Sequence, residues 1–219
     1  MSIRYKTKVD IIYEKILEDI ENGHYSPGEH LVISQLSKEN NVSDIPVREA
    51  IRRLESEGYV SVIANQGPMV FDFTPSVISE IFQLKAVLEG FACRLAVDVL
   101  DEDDYAHLRE LNEKMLQAAT SEKTSESAAY NKKFHMYIYN RLEQKMLCNM
   151  IEELWRKYHI TQRVFHVATH SEISYKEHET MLRLMESKQY TAVEEFVRKH
   201  KVNAGRQLLE QYEMRSAAR

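Results

Sequence analysis

The stretch VSDIPVREAIRRLESEGYV, residues 42–60, has the pattern of an amphipathic helix that runs into a strand. One face carries apolar residues at the i, i+3, i+4 and i+7 positions: Val47, Ala50, Ile51 and Leu54. The spacing predicts that this face is buried against other helices. The opposite face, which is left for a partner, carries Asp44, Ile45, Arg48 and Arg52.

The start of this helix raises a question of charge. Ser43 has the chemistry of an N-cap, Asp44 is favoured in the first turn by the helix dipole, and Pro46 needs no intrahelical N–H there. A carboxylate has the wrong sign for a phosphate backbone. Two interpretations of Asp44 therefore stay open: it accepts a hydrogen bond from cytosine N4, or it serves only as a first-turn residue.

The flanking segments complete a small domain. Apolar spacing from Val9 to Ile20 predicts one helix, and a second, shorter helix is expected around Ile33 and Leu36. After Gly58, the segments YVSVI and PMVFDF read as strands around the turn ANQG at residues 64–67. Three helices followed by a β-hairpin predict a winged helix-turn-helix, in which the third helix enters the major groove of DNA.

The charge of this region is unusual for a DNA-binding domain. Residues 1–75 contain eight Lys or Arg and twelve Asp or Glu. Phosphate contacts would have to come from Arg48, Arg52 and the basic residues of the N-terminal arm, Arg4, Lys6 and Lys8. The acidic balance predicts modest, salt-sensitive affinity. The alternatives are a solvated arginine-bearing face or a helix-turn-helix that binds other proteins.

The segment YSPGEHL…SQLSKENNVSDIPVREAIRRLESEGYV resembles the DNA-binding domain of GntR-family bacterial transcription regulators, over about the first 73 residues. Arg48 matches the arginine of the family's VREA motif, whereas the family commonly has arginine where this chain has Asp44. The resemblance implies a DNA-binding domain at 1–73, a linker at 74–76 and a second domain at 77–219. The candidate DNA-binding residues are Ser43, Asp44, Ile45, Arg48, Arg52, Gln66 and Gly67.

Beyond Pro75 there is no proline, and the apolar periodicity is helical almost throughout. We predict helices near 77–99, 103–119, 125–141, 144–163, 172–187 and 190–213. The first has a persistent apolar face that includes Ile78, Ile81, Leu84, Leu88 and Leu95. The predicted fold is thus mainly α: a winged helix-turn-helix followed by a bundle of about six helices.

Three histidines fall on the inward stripes of three different helices of this bundle: His135, His178 and His200. Imidazoles that converge in this way could hold a divalent transition metal. Taken singly, each could instead be a core histidine satisfied by a hydrogen bond. His166 and His170 form a competing i, i+4 pair, but they lie in a segment expected to be a connection.

The second domain resembles the FCD-type effector domain of the FadR subfamily of GntR regulators. The similarity is in LKAVLEGFACRLAV, YNKKFHMYIYN, YKEHETMLRLMES and AVEEFVRKHKV. It implies an aspartate and three histidines that hold a metal, often zinc or nickel, beside a carboxylate effector. Here Asn131 stands at the aspartate position, so lower metal affinity is expected, or a pocket that binds its effector through hydrogen bonds alone. Lys85 and Arg163 are the candidate effector-binding cations.

These patterns predict a ligand-responsive transcription repressor that binds a near-palindromic double-stranded DNA operator as a homodimer and responds to a small organic acid. One alternative is a metal-dependent enzyme with Glu177 or Glu179 as its base, although no HExxH motif, nucleophile elbow or phosphate-binding loop is present. Another is a helix-turn-helix protein that binds other proteins instead of DNA.

Composition places the chain among cytoplasmic proteins without a membrane span. The 219 residues are 43% hydrophobic and 29% charged, and no apolar run is long enough to cross a bilayer. The start MSIRYKTKVD lacks the apolar core of a signal peptide. Cys93 and Cys148 stand alone on helical segments and are expected to be reduced thiols.

Overall fold

A computed structural model describes residues 6–164 and 171–217, apart from the side chains of residues 161–164, 171 and 215–217. The described residues form two compact units. The first comprises residues 6–77 and 159–164, and the second comprises residues 78–158 and 171–217.

The first unit is a winged helix-turn-helix, as predicted. Its elements are α1 (Lys8–Glu21), α2 (Ile33–Glu39), α3 (Asp44–Glu57), β1 (Val60–Ile63) and β2 (Gly67–Val70). A reciprocal capping box between Thr7 and Asp10 starts α1, because each side chain bonds the other residue's backbone N–H. Gly58 ends α3 with a φ of 87°, a conformation that glycine adopts without steric cost.

The wing is a two-stranded antiparallel hairpin in which Val60 pairs with Val70 and Ile63 with Gly67. The second strand is shorter than the predicted segment PMVFDF, which would extend it to Phe73. Because β1 begins only at Val60, residues beyond Val70 have no strand opposite them. One further bond, from Phe71 N–H to the Tyr59 carbonyl (2.9 Å), closes this end of the ribbon.

The six predicted helices are all present, with observed ends close to those expected. They are α4 (Pro75–Ala96), α5 (Glu102–Thr120), α6 (Thr124–Asn140), α7 (Lys145–Val164), α8 (Ser171–Glu186) and α9 (Tyr190–Ala217). They lie in the second unit apart from the first residues of α4 and the last residues of α7. Residues 75 and 76, which were expected in a linker, are already helical. Proline suits the first position of a helix, because its missing N–H would have no intrahelical partner there.

The core of the bundle is apolar around one polar centre. Trp155, Tyr139 and Phe134 are among its largest fully buried side chains. The apolar face predicted for α4 is wrong at Leu84, which is 46% exposed. Val87 (49%) and Phe91 (44%) are exposed as well. The helix has apolar residues on two faces, and its buried face carries the charged residues Lys85 and Glu89. Periodicity alone cannot distinguish these two faces.

Two observations bear on the expectations drawn from composition, within the described part of the chain. None of its helices combines the length and the hydropathy of a membrane span. Cys93 and Cys148 are both free thiols.

Candidate functional site

Helix α3 presents the face that its sequence predicts. Val47, Ala50, Ile51 and Leu54 are buried. The predicted DNA-binding side chains of the helix are exposed, and Ile45 is 68% exposed although it is apolar. Ser43 occupies the N-cap position but makes no side-chain capping bond.

Asp44 has a role that the sequence did not reveal. The Ser37 hydroxyl in α2 donates to Asp44 Oδ1 at 2.7 Å, so the carboxylate ties α2 to the start of α3. Ser37 is itself buried. Asp44 thus has an intramolecular partner, which explains an acid at the tip of this helix without a contact to DNA.

Arg48 and Arg52 are available to an external partner. Among the described residues neither forms an ion pair or a hydrogen bond, in contrast to Arg53 on the same helix. The Arg53 guanidinium bonds Glu57 (3.2 Å) and Asp10 (3.3 Å) and stacks on the Tyr13 ring. The two faces of α3 therefore separate an arginine that is paired within the fold from two arginines that are exposed to solvent.

The free face opens onto a groove that includes the wing. Asp44, Arg48 and Gln66 line it together with residues 30–34 and Pro68. Gly67, with a φ of 80°, turns the chain beside Gln66. A second depression beside Ser43 and Asp44 is lined by Lys8 and by Lys38, a cation that the sequence analysis did not single out. Of the other arm residues, Lys6 pairs with Glu14 at 2.6 Å and Arg4 lies outside the described residues.

In the bundle, His135, His178 and His200 converge as predicted. Each offers a ring nitrogen, and these three atoms lie within 4.8 Å of one another. Nε2 of His135 is 3.1 Å from Nε2 of His178. Ligands around a tetrahedral zinc ion are spaced by roughly 3.3 Å, given Zn–N distances of about 2.0–2.1 Å, so the cluster has metal-site dimensions.

Neighbouring residues fix which ring nitrogen of His178 and of His200 faces the centre of the three-histidine cluster. The Asn112 amide donates to the Tyr175 carbonyl and Glu179, which leaves its oxygen to accept from His178 Nδ1 at 2.9 Å. His200 Nδ1 donates to Glu177 Oε2 at 2.6 Å. In both neutral rings Nε2 then carries a lone pair. This arrangement is typical of histidines that ligate metals.

The third ring, that of His135, also directs a nitrogen lone pair towards the centre of the cluster. Lys201 Nζ lies 3.0 Å from His135 Nε2, and an ammonium can only donate, so this nitrogen also presents its lone pair. Burial holds the pKa values of His135 and His178 well below the ordinary range, which keeps both rings neutral. Two lone pairs that face each other at 3.1 Å repel unless a cation lies between them. The residues therefore fit a bound metal ion.

Asn131, one turn before His135 on α6, supplies a candidate fourth ligand. Its buried Oδ1 finds no hydrogen-bond partner in the described part of the chain. An amide oxygen can coordinate a metal but brings no charge. Of the other predicted residues, the Arg163 side chain lies outside the described residues, as do His166 and His170.

Lys85, the other predicted effector-binding cation, is fully buried and already paired. Its Nζ lies 2.6 Å from Glu89 Oε1 and 3.7 Å from the centre of the Trp155 ring. Glu89 also pairs with Lys201 at 3.0 Å and accepts from the Tyr139 hydroxyl at 2.6 Å. One buried carboxylate thus serves two buried lysines.

The pKa values of this group follow from its burial and its charges. Burial lowers the pKa of Lys85 to about 7, although Glu89 opposes the shift. Burial alone would raise the pKa of Glu89, but Lys201 and Lys85 together lower it to about 2. Sequence reasoning missed Glu89 and Lys201. Their positions in the sequence could have identified them. Glu89 lies four residues after Lys85, and Lys201 directly follows His200.

A groove between α8 and α9 reaches the cluster from outside. It is lined by Glu177, His200 and Arg206, among others, and His200 is 8% exposed at its base. Arg206 is a cation on this path that the sequence analysis did not identify.

Comparison with known proteins agrees with both units. Residues 8–70 match the family described as bacterial regulatory proteins, gntR family, and residues 80–203 match the FCD domain. The chain is 36% identical to the HTH-type transcriptional regulator McbR of Escherichia coli over 133 residues, which are 61% of this chain and 60% of McbR. It is 28% identical to the uncharacterized HTH-type transcriptional regulator YdhC of Bacillus subtilis, over 86% of this chain and 85% of YdhC. The solved structure of E. coli McbR/YncC is similar, with a TM-score of 0.63 and 26% identity over 95% of this chain and the whole of that one.

Proposed function

The chain belongs to the GntR family and combines that family's DNA-binding domain with an FCD domain. We propose that it represses transcription from a near-palindromic operator under the control of a small carboxylate. That it is a DNA-binding transcription regulator, and not an enzyme, follows from the family and from its relatives. Glu177 and Glu179, the candidate bases of the enzyme alternative, bond His200 and Asn112 instead.

The observation that carries the proposal is the exposed Arg48 in the groove between the recognition helix and the wing. Arginine is the side chain most often used to read guanine edges, and one good bidentate contact contributes about 1–3 kcal/mol of discrimination. Gln66 lies at the same groove on the wing side. The helix and the wing can therefore contact one DNA segment together.

The test begins with genome-wide mapping of bound DNA, which supplies the operator. Fluorescence anisotropy then measures operator affinity for the unmodified chain, for Arg48→Ala and for Arg53→Ala. The control removes the same charge from the same helix, but from the side that faces Glu57. We expect Arg48→Ala to weaken binding at least tenfold and Arg53→Ala to weaken it much less. Equal losses would refute the assignment of Arg48, and the absence of specific sites would favour a protein-binding role.

Repression is tested in the cell. A promoter that contains the mapped operator is fused to a reporter gene, and its output is compared with and without the regulator. Higher output in the deletion strain supports repression, and lower output shows activation.

The homodimer is supported by the exposed apolar face of α4. Leu84, Val87 and Phe91 recur at i, i+3 and i+7 and are each more than 40% exposed. Apolar side chains aligned in this way mark contact surfaces, and two copies would match two half-sites. We expect Phe91→Glu to produce monomers in sedimentation experiments. Ile173→Glu, at an equally exposed residue of α8 (47%), is the matched control and should leave the assembly unchanged.

The metal centre is the second part of the proposal. His135, His178 and His200 would hold a zinc or nickel ion, with Asn131 as a neutral fourth ligand. A bound ion would supply positive charge and an open position for a carboxylate. Asn112 and Glu177 keep the rings of His178 and His200 in the tautomer that binds metal. Elemental analysis of protein purified without chelators tests occupancy, with His178→Ala as the variant that should lose the ion.

The effector would enter along the groove between α8 and α9. Arg206 lines that groove and can pair with a carboxylate, while Lys85 and Lys201 keep the interior basic. Effector binding changes operator affinity only if the effector binds the DNA-bound and free states differently. We expect a small organic acid to alter operator affinity, and Arg206→Ala to raise the concentration required.

A further inference from the structure

We propose that Lys201 is a built-in competitor of the metal ion, so that the three-histidine cluster binds a divalent ion only when Lys201 releases His135. The inference rests on the metal site of the proposed function. It adds the residue that sets the affinity of that site.

The Lys201 ammonium is held at the cluster by its surroundings. The side chain is 4% exposed and directly follows His200 on α9. Nζ lies 3.0 Å from His135 Nε2 and 3.0 Å from Glu89 Oε2. The Trp155 ring, centred 5.0 Å away, covers it further. Lys201 therefore does not extend into solvent, as most lysines do.

Lys201 and a metal ion require the same lone pair. His135 Nε2 is the nitrogen that faces His178 Nε2 at 3.1 Å, so it is the atom that would ligate the ion. A neutral imidazole has one acceptor nitrogen, which can accept from the ammonium or bind a metal but cannot do both. Metal binding at this nitrogen must break the Lys201–His135 contact.

Charge strengthens the competition. A divalent ion in the cluster would lie a few ångströms from the ammonium, in a buried site where like charges are poorly screened. Glu89 is already shared with Lys85, and Asn131 adds no negative charge. Glu177 also lies beside the cluster, but it already accepts from His200 Nδ1. Glu89 can still hold Lys201 after its release from His135, so release does not require a free buried charge.

The experiment compares metal binding by full-length protein stripped with a chelator. Zn²⁺ and Ni²⁺ are titrated by calorimetry, and Co²⁺ by its visible absorption. We expect Lys201→Met to bind each ion at least tenfold more tightly than the unmodified chain. Lys199→Met, at an exposed lysine of the same helix, is the control and should leave the affinities unchanged. His178→Ala should abolish the gain in the Lys201→Met background.

The outcomes separate this inference from the metal site itself. Equal affinities for the unmodified chain and Lys201→Met overturn the role of Lys201 and leave the metal site standing. Binding by Lys201→Met alone supports the competition and refutes a resident metal in the natural chain. No binding by either protein overturns both proposals.

Glu89 remains paired with Lys85 and Tyr139 in Lys201→Met, so we expect the variant to fold. Should it not fold, Lys201→Gln removes the charge and keeps a polar side chain, and it should also bind more tightly. In the unmodified protein, one equivalent of Zn²⁺ should shift the NMR signal of the buried Lys201 ammonium. An unshifted signal in the zinc-bound protein counts against displacement.

Discussion

Replacing Glu89 by Gln should destabilise the helical bundle severely, because one carboxylate serves two buried ammonium groups. Glu89 is 0% exposed, with Lys85 at 2.6 Å and Lys201 at 3.0 Å. Glutamine preserves the shape and can still accept from Tyr139, so the change removes charge and little else. Breaking a buried ion pair by removing one partner costs about 3–5 kcal/mol. We expect a loss of that size in the free energy of unfolding at neutral pH.

The assay is urea denaturation followed by tryptophan fluorescence. Trp155 is the only tryptophan of the chain, and Lys85 Nζ lies 3.7 Å from its ring, so its emission reports unfolding of the bundle itself. Glu110→Gln is the matched control. Glu110 pairs with Lys114 at the same 2.6 Å distance, again four residues apart on one helix, but both side chains are about half exposed. Surface pairs contribute little, so the midpoint of this control should barely move.

Raising the pH to about 7 should reduce the part of the Glu89→Gln cost that comes from Lys85. Burial lowers the pKa of Lys85 to about 7, and the loss of Glu89 lowers it further, so Lys85 loses its charge at a lower pH in Glu89→Gln than in the unmodified chain. A Glu89→Gln protein as stable as Glu110→Gln at neutral pH would refute the reasoning. A penalty that does not fall as the pH rises to about 7 would show that the charge of Lys85 is not part of its cause.

Three further predictions concern the two units separately. Ser37→Ala removes the hydrogen bond to Asp44 and should destabilise the pairing of α2 with α3 by about 0.5–1.5 kcal/mol, measured as faster hydrogen exchange of α2 amides. Gly205→Ala would place a Cβ 2.6 Å from Phe82 Cγ, so the thermal midpoint should fall with a cost of about 1–3 kcal/mol, and Phe82→Ala in the same chain should reverse part of the loss. The pKa of Glu89 is about 2 in the folded chain, below its ordinary value of 4.5. Its contribution to the free energy of unfolding is therefore complete above about pH 4.5 and is lost as the pH falls through about 2. Acid titration followed by fluorescence should show this loss in the unmodified chain but not in Glu89→Gln.

The fold was largely predictable because local signals agree with the packing. The buried face of α3, its end at Gly58 and the six long helices all follow from spacing and turn residues. The convergence of His135, His178 and His200 could also be predicted, since each lies on an inward stripe and the resemblance places the stripes together.

The charged interior could not be predicted in the same way. Lys85, Glu89 and Lys201 resemble surface residues in any scan of hydropathy, and only the three-dimensional pairing shows that they are buried. Leu84 was wrongly predicted to be buried, because the sequence does not show which of the two apolar faces of α4 packs against other helices. The partner of Asp44 was equally hidden, since Ser37 lies on a different helix.

The hydrogen bond between Ser37 and Asp44 has a consequence for redesigning operator recognition. The family resemblance implies arginine at the position of Asp44. Introducing it would remove one of the two acceptors of the buried Ser37 hydroxyl, the other being the Ile33 carbonyl at 2.8 Å, and would add a positive charge to the exposed face of α3. The effects of changes at these two sites should therefore be non-additive, so that Asp44→Arg is tolerated better together with Ser37→Ala than alone. Any recoding of DNA preference at this helix is epistatic with α2, and residues 37 and 44 should be varied as one unit.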